Sequence, residues 1–197
     1  GYRLAVSTEK MNSGQENHFI ISAKIINEIS KIIAEDGDAE EVEIYLGKKK
    51  ATFRIDTTEI VLRLMEGEYI KYRDIMPTQS TTDIVIGRAI LQESIERASL
   101  LAREGKNNLI KMNIKNNLLT ITSRSEEGNV KEEIIMEKEG EDLEIGFNSK
   151  FVIDVLKVID DDEISMHFLT GTSPCMVKPV SGDAYEYLIL PVRIPTM

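Results

Sequence analysis

Residues 83–104 read DIVIGRAILQESIERASLLARE, and this segment carries the clearest information about the architecture. Residues 83–86 contain three consecutive β-branched apolar residues after Asp83, a composition typical of a strand. Strand-like alternation follows the segment over 110–114, 119–121 and 130–136, with turn-forming residues between the runs. Between these strands, apolar residues recur at helical spacing over 88–104 and share one side of a predicted helix: Leu91, Ile95, Ala98 and Ala102. The pattern predicts one strand, one helix and three further strands.

The same order of elements occurs twice more in the chain. In the preceding unit, residues 18–21 read as a strand, and the helix after it has an apolar stripe made of Ile25, Ile26, Ile29, Ile32 and Ile33. Its three strands are predicted over 42–46, 53–55 and 60–64. In the last unit, a strand over 143–147 leads to a helix over 150–159 capped by Asn148 or Ser149, and strands follow over 164–168, 175–177 and 185–190. This repeat predicts an α+β fold in which sheets pack on helix pairs.

The repeats divide the chain into two predicted domains. Two consecutive units make one complete domain over residues 80–197. Residues 1–79 then hold the C-terminal part of a preceding domain and a linker that contains Pro77. Because the opening strand has no partner segment before it, we expect the chain to be a fragment of a longer protein.

The composition indicates a globular protein, since 42% of the 197 residues are hydrophobic and 29% are charged. The formal net charge of -10 argues against bulk attraction to nucleic acid, although it leaves room for a local basic surface. A single cysteine, Cys175, excludes an internal disulfide and fits a reducing cytoplasm. The sequence contains no run long enough to cross a membrane and no signal peptide at its start.

Four local sequences, in this order and spacing, resemble the bacterial DNA polymerase III beta subunit, the replicative sliding clamp. The resemblance covers essentially the whole chain and makes it similar to the C-terminal fragment of that protein. It implies the DNA-clamp fold, with 1–79 as part of the second clamp domain and 80–197 as the third. The matching segments are 1–5 (GYRLA), 67–77 around the linker, 145–156 (IGFN followed by FVIDVL) and 190–194 (LPVRI).

The resemblance further implies a non-catalytic processivity factor that acts in the cytoplasm, associated with the nucleoid. Its full-length form is expected to be a head-to-tail homodimeric ring that encircles duplex DNA without sequence specificity and needs no cofactor. Leu100 and Leu101 align with the subunit interface of that ring, although ordinary core packing is the alternative. The positive inner lining would comprise Lys24, Lys31, Arg88, Arg97, Arg103, Lys106, Lys150 and Lys157, which otherwise read as solvated helix faces.

The second implied site is a hydrophobic pocket between the second and third domains. It would bind linear peptides of the replicative polymerase, the clamp loader and repair proteins, since leucine and phenylalanine side chains gain free energy when they are buried in such a groove. Transferred position by position, the pocket comprises Gly1, Tyr2, Arg3, Leu4, Ile70, Tyr72, Ile75, Asn148, Phe151, Pro174, Met176, Leu188, Leu190, Pro191, Val192 and Arg193.

Two rival interpretations accompany this one. A stand-alone peptide-binding module with the same fold would keep the pocket and lose DNA encirclement. An enzyme would need an active site, and the sequence has no phosphate-binding glycine loop and no zinc-ligand motif. His167 and Cys175 remain as a conceivable base and nucleophile facing each other across a hairpin, although a buried structural role is the expected alternative.

Overall fold

The computed structural model describes residues 1–10, 16–35, 41–103 and 106–195. Within them the chain forms two compact units. The larger unit comprises Gly1–Lys10 and Arg73–Met197, and the smaller unit comprises Met11–Tyr72. No helix among the described residues is both long and apolar enough to span a membrane.

In the larger unit the secondary structure follows the predicted order of strand, helix and three strands, with one short additional strand in its first repeat. The larger unit opens with strand β1 (Arg3–Ser7). The smaller unit holds helix α1 (Ala23–Glu35) and strands β2 (Val42–Leu46), β3 (Lys50–Ile55) and β4 (Thr58–Arg63). The larger unit continues with β5 (Thr82–Gly87), α2 (Arg88–Ala102), β6 (Leu109–Lys115), β7 (Leu118–Ser125), β8 (Gly128–Ile135), β9 (Glu137–Gly140), β10 (Leu143–Asn148), α3 (Ser149–Leu156), β11 (Glu163–Phe168), β12 (Cys175–Pro179) and β13 (Tyr185–Ile189).

Two sheets of the larger unit interlock its two repeats. One sheet has the order β1-β13-β12-β11-β5-β9, and the other has the order β10-β6-β7-β8. The strand that leads into each helix therefore pairs with the other repeat: β5 pairs antiparallel with β11, and β10 pairs antiparallel with β6. Buried apolar residues from α2, α3 and both sheets form one core between these layers. This interlocked α+β arrangement confirms the predicted fold class.

The local sequence explains most of the element boundaries. In β5 the buried residues alternate, as a strand with one face on the core requires: Thr82, Ile84 and Ile86. Asn148 caps α3, because its side-chain oxygen accepts a hydrogen bond of 3.0 Å from the Lys150 backbone N–H. The α3 helix ends at Leu156 and not at Ile159 as predicted, because the Val158 N–H turns back to the Val155 carbonyl at 3.2 Å and tightens the last turn.

The smaller unit has a sheet of three strands in the order β2-β3-β4 and one helix. In the part of this unit that the structure describes, the core contains five buried apolar residues: Ile29, Ala51, Phe53, Ile55 and Leu62. The prediction of a strand over residues 18–21 is wrong for this structure, because no ladder forms there. A strand needs a neighbouring strand to satisfy its backbone groups. Among the described residues, 18–21 have one backbone bond to a following segment, from the Met65 N–H to the Ile20 carbonyl.

Candidate functional site

The outward face of the six-stranded sheet brings three predicted pocket residues into one row. Leu4 of β1 lies opposite Leu188 of β13, and Leu188 lies opposite Met176 of β12. The alternate residues of β12 and β13, among them Cys175 and Ile189, point into the core of the larger unit. Met176 and Leu188 are nonetheless only 2% and 3% exposed, although they are not part of that core. The row is an apolar strip that is largely shielded from solvent.

Strand β1 and helix α3 meet beside this row through aromatic and charged contacts. The Tyr2 ring stacks on the Phe151 ring with centroids 5.5 Å apart, and the Arg3 guanidinium lies 4.8 Å above the Phe151 ring centroid. Arg3 also forms an ion pair with Asp154. The Leu190 N–H donates to the Tyr2 carbonyl at 3.0 Å, which ties the end of β13 to the same place. The structure thus joins four predicted pocket residues into one contact network.

The segment after β13 crosses onto strand β10 at Gly146. The Val192 N–H donates to the Gly146 carbonyl at 2.8 Å. A β-carbon at Gly146 would lie only 2.7 Å from the Val192 carbonyl oxygen, so only glycine admits this crossing without a shift. This bond holds Pro191 and Val192 beside Gly146 of β10. Asn148, another predicted pocket residue, lies two residues further along the same strand. The contacts of Gly146 and Asp154 are not among the predictions from sequence, and of these two residues only Gly146, a glycine within an apolar strand, carried a usable signal.

For the other predicted pocket residues, the structure gives their burial or the unit to which they belong. In the larger unit, Pro174 is partly buried just before β12, whereas Gly1, Arg193 and Ile75 are exposed. Ile70 and Tyr72 belong to the smaller unit, which is described separately. Their membership of the pocket stays a prediction.

Three of the predicted DNA-facing residues line one groove between helices α2 and α3. The groove has a volume of about 700 Å³ and is bordered by Arg103, Lys150 and Lys157. Glu96 and Asp154 also line it, and the Lys157 ammonium lies 3.7 Å from the Glu96 carboxylate. In the part of the chain that the structure describes, Arg103 and Lys150 form no ion pair. The groove therefore presents two positive side chains that have no ion-pair partner among the described residues.

The remaining predicted lining residues differ in whether they form hydrogen bonds or ion pairs within the chain. Arg88 donates from Nε to the Asp161 carbonyl at 3.0 Å, and Arg97 donates from Nη2 to the Glu132 carboxylate at 2.7 Å. On the smaller unit, Lys24 is exposed and Lys31 pairs with Glu28 at 2.8 Å. The side chain of Lys106 lies outside the described residues.

The Arg97–Glu132 pair leads to a prediction about how the stability of the fold depends on pH. The hydrogen bond from Arg97 holds the pKa of Glu132 below its usual range, and the same bond raises the pKa of Arg97. Because the folded-state pKa of Glu132 is lowered, the pair stabilises the fold above the ordinary glutamate pKa, and this contribution is lost as the pH falls through the folded-state value. We expect Arg97→Gln to be less stable than the native chain at neutral pH, and the difference to shrink in acid.

Urea unfolding of both proteins at about pH 7 and about pH 3 measures this difference. Arg124→Gln, which removes an exposed basic side chain that has no ion pair among the described residues and leaves Arg97 in place, is the control. A stability difference for Arg97→Gln that is equally large at both pH values would contradict the assigned pair.

Leu100 and Leu101, predicted at a subunit interface, differ in exposure. The Leu100 side chain is 63% exposed on α2, whereas Leu101 is partly buried. Leu100 also borders the groove between α2 and α3. Of the two, only Leu100 offers most of its side chain to a partner.

The structure argues against a nucleophile and base formed by Cys175 and His167. Cys175 points into the core, where burial raises the pKa of its thiol, while His167 lies on the other face of the sheet. His167 instead contacts the Asp83 carboxylate at 2.6 Å and the Ser165 hydroxyl at 3.1 Å. Ser165 is only 9% exposed and also lies within hydrogen-bonding distance of two backbone carbonyls, so it is not the accessible nucleophile that a triad requires.

No group of three or more histidine, cysteine, aspartate or glutamate side chains within the described residues is arranged to hold a metal ion. Among the acidic residues that follow α3, Asp161 makes a local side-chain contact. The Tyr185 hydroxyl donates to the Asp161 carboxylate at 2.6 Å, and burial together with this neighbouring charge raises the pKa of Tyr185.

The interlocked repeats of the larger unit, with two sheets on one helix pair, define a DNA-clamp fold. Residues 73–193 match the C-terminal domain of the DNA polymerase III beta subunit, and residues 1–71 match its central domain. The chain belongs to the DNA polymerase III beta subunit family, the sliding clamps of DNA replication.

Individual relatives agree with this assignment. The chain is 38% identical over 195 residues to a beta sliding clamp of Staphylococcus epidermidis, an alignment that covers 98% of this chain and 51% of the relative. The DNA polymerase III beta subunit of Thermotoga maritima superimposes with a TM-score of 0.92 at 31% identity, over 98% of this chain and 53% of that one. The sliding clamp of Bacillus subtilis gives a TM-score of 0.92 at 33% identity, with 98% and 52% covered. The chain therefore spans about half the length of the curated relatives it matches.

Proposed function

We propose that this chain is the C-terminal part of a DNA sliding clamp that tethers replication proteins through a peptide-binding pocket. The observation that carries the proposal is the apolar row on the outward face of the larger unit, formed by Leu4, Leu188 and Met176. Beside it, Tyr2 and Phe151 provide an aromatic wall, and Arg3 provides donors for peptide carbonyls. A linear peptide with leucine and phenylalanine anchors can bury apolar area of the exposed Tyr2 side chain beside this row, at about 25 cal/mol per Å².

The DNA-binding part of the proposal rests on the groove between α2 and α3. Arg103 and Lys150 are positive and lack ion pairs in the described part of the chain, so they are available to phosphate groups. In a ring the grip on DNA is topological, and a few non-specific phosphate contacts suffice for sliding. This reconciles a duplex DNA partner with a net charge of -10.

Ring closure is proposed for the full-length protein, as a head-to-tail homodimer with Leu100 as the exposed apolar residue of this chain at the interface. The proposed role is non-catalytic: a processivity subunit that acts on DNA in the cytoplasm and presents the pocket to the polymerase, the clamp loader and repair proteins.

A stand-alone peptide-binding module is the second candidate function. It is favoured by one observation: the apolar row and its aromatic wall lie entirely within the larger unit. Such a module would bind the same peptides without encircling DNA.

The test is fluorescence anisotropy of a labelled peptide that carries a glutamine followed by leucine and phenylalanine anchors. We expect saturable binding by this chain, and a loss of at least about tenfold in affinity for Leu190→Ala and Tyr2→Ala. Tyr2 is 66% exposed, so its replacement leaves the core intact. Val180→Ala, an exposed residue beyond the end of β12, should bind as the native chain does. Equal affinities for all four proteins would overturn the proposed pocket.

A further inference from the structure

Asp154 contributes to two sites, because it lies where two rows of side chains on helix α3 cross. Residues three or four positions apart on a helix are neighbours on its surface. Asp154 is three positions after Phe151, and it forms an ion pair with Arg3, whose guanidinium lies 4.8 Å above the Phe151 ring centroid. It is also four positions after Lys150 and three before Lys157, which border the groove between α2 and α3. The proposed peptide pocket and the proposed DNA-binding groove are therefore joined through one carboxylate.

The charge of this carboxylate matters to the groove, because the groove is only slightly positive. Among the described residues, its lining holds three basic side chains and two acidic ones: Arg103, Lys150, Lys157, Glu96 and Asp154. The lining by itself therefore has a formal charge of +1. Arg3 is not part of the lining, but its ion pair with Asp154 places one more positive charge beside it and raises this value to +2. An anion in the groove is attracted more strongly while Arg3 stays on Asp154.

The ion pair between Arg3 and Asp154 is easily exchanged for other partners. The two side chains are 39% and 38% exposed, so water solvates both charges and the pair adds little to the stability of the fold. A guanidinium carries five N–H donors that bind peptide carbonyls as readily as a carboxylate's oxygens in water. Arg3 can therefore leave Asp154 at a small cost in free energy.

We propose that Arg3 exchanges Asp154 for a bound peptide, and that this exchange makes peptide binding and DNA binding weaken each other. The inference rests on the proposed function, since it needs both sites. A peptide that packs against Phe151 draws the Arg3 guanidinium to its own carbonyl oxygens. Asp154 is then left to Lys150 and Lys157, its neighbours on the same helix. These two cations bind Asp154 in place of phosphate groups, so the groove holds DNA less tightly.

The coupling acts in both directions. A duplex in the groove draws Lys150 and Lys157 away from Asp154, and the carboxylate then holds Arg3 more firmly away from the peptide. The factor by which the peptide lowers the affinity for DNA equals the factor by which DNA lowers the affinity for the peptide. Because the ion pair is exposed, we expect this factor to be about three to five. A clamp with a partner in its pocket would thus slide with weaker phosphate contacts.

Asp154→Asn tests the exchange through peptide affinity alone. The asparagine keeps the shape of the side chain and removes the charge that holds Arg3. We expect the labelled anchor peptide to bind this variant about three- to fivefold more tightly than the native chain, as measured by fluorescence anisotropy. In an Arg3→Gln background the same substitution should have no effect, because there is no guanidinium to release. If Asp154 instead positions Arg3 for the peptide, Asp154→Asn binds more weakly, and weaker or unchanged binding overturns the proposal.

Glu126→Gln is the matched control for the loss of one negative charge. Glu126 is exposed in the turn between β7 and β8 and belongs to neither site. This variant should bind the anchor peptide as the native chain does. If it binds more tightly by the same factor as Asp154→Asn, the effect comes from the net charge of the chain and not from the release of Arg3.

Anisotropy of a short labelled duplex tests the coupling itself. The titration is made at about 10 mM salt, where the Debye length is about 30 Å and phosphate attraction is little screened. A saturating amount of unlabelled anchor peptide with no net charge should lower the duplex affinity of the native chain about three- to fivefold. It should leave the duplex affinity of Asp154→Asn unchanged. The same peptide with alanine at both anchor positions should change neither affinity.

The results separate this inference from the function on which it rests. If the native chain binds the peptide and the duplex, and neither ligand changes the affinity for the other, the two sites are independent and only the exchange of Arg3 is wrong. If the native chain binds no peptide, the proposed pocket fails and the coupling fails with it. If it binds the peptide but no duplex, the groove is not a phosphate site and the coupling is again excluded.

Discussion

Replacing Ile134 by alanine should lower the free energy of unfolding of the larger unit by about 2–5 kcal/mol. The Ile134 side chain is 1% exposed and belongs to the core that β8 shares with α2 and both sheets. Truncation removes buried methyl groups and leaves a cavity that close-packed neighbours fill only in part. The loss is large compared with the total stability of a typical domain, which is about 5–15 kcal/mol.

The neighbouring residue provides a matched control. Ile135 follows Ile134 in the same strand, points to the opposite face and is 85% exposed. Ile135→Ala should therefore change the free energy of unfolding by no more than about 0.5 kcal/mol. Urea unfolding followed by circular dichroism, with hydrogen exchange at the β7 amides to isolate the larger unit, compares the two variants. Similar costs for both would show that the inward face of β8 has been assigned incorrectly.

Gly146→Ala should displace the segment after β13 and weaken peptide binding. Alanine in place of a strand glycine usually stabilises a protein by about 0.4–1 kcal/mol when the backbone conformation permits it. At Gly146 the added β-carbon would lie 2.7 Å from the Val192 carbonyl oxygen and 2.9 Å from the Ile194 side chain. Because the Val192 carbonyl oxygen is a backbone atom, we expect the change in the free energy of unfolding to reverse its sign. Gly146→Ala should destabilise the fold by about 1–3 kcal/mol.

The same displacement should reduce affinity for the anchor peptide by at least about tenfold, since the proposed pocket includes Leu190, Pro191 and Val192. Gly87→Ala is the control, because its β-carbon meets a side-chain methyl group, Cγ2 of Ile90 at 3.2 Å, and no backbone atom, and its own backbone is extended. Both variants are measured by urea unfolding and by peptide anisotropy. If Gly146→Ala proves as stable and binds as well as Gly87→Ala, the crossing of residue 192 over β10 does not support the pocket.

The sequence alone was sufficient for the repeat and for most of its elements. Helical spacing identified α2, and alternation identified β6 and β7, because a secondary-structure period depends only on near neighbours along the chain. The cap at Asn148 was predictable for the same reason. The resemblance supplied the predicted pocket residues, several of which the structure brings together: Tyr2, Leu4, Phe151, Met176, Leu188 and Leu190.

The tertiary structure decided what the near-neighbour pattern leaves open. Residues 18–21 and 83–86 have similar strand patterns, yet only the second forms a full strand, because β11 of another repeat pairs with it. Ile134 and Ile135 are chemically identical neighbours, and only packing against the core separates them. Arg97 reads as one more solvated cation until β8 brings Glu132 to it. Periodicity is a short-range property of the chain, whereas strand pairing, burial and charge partners arise from residues far apart in sequence.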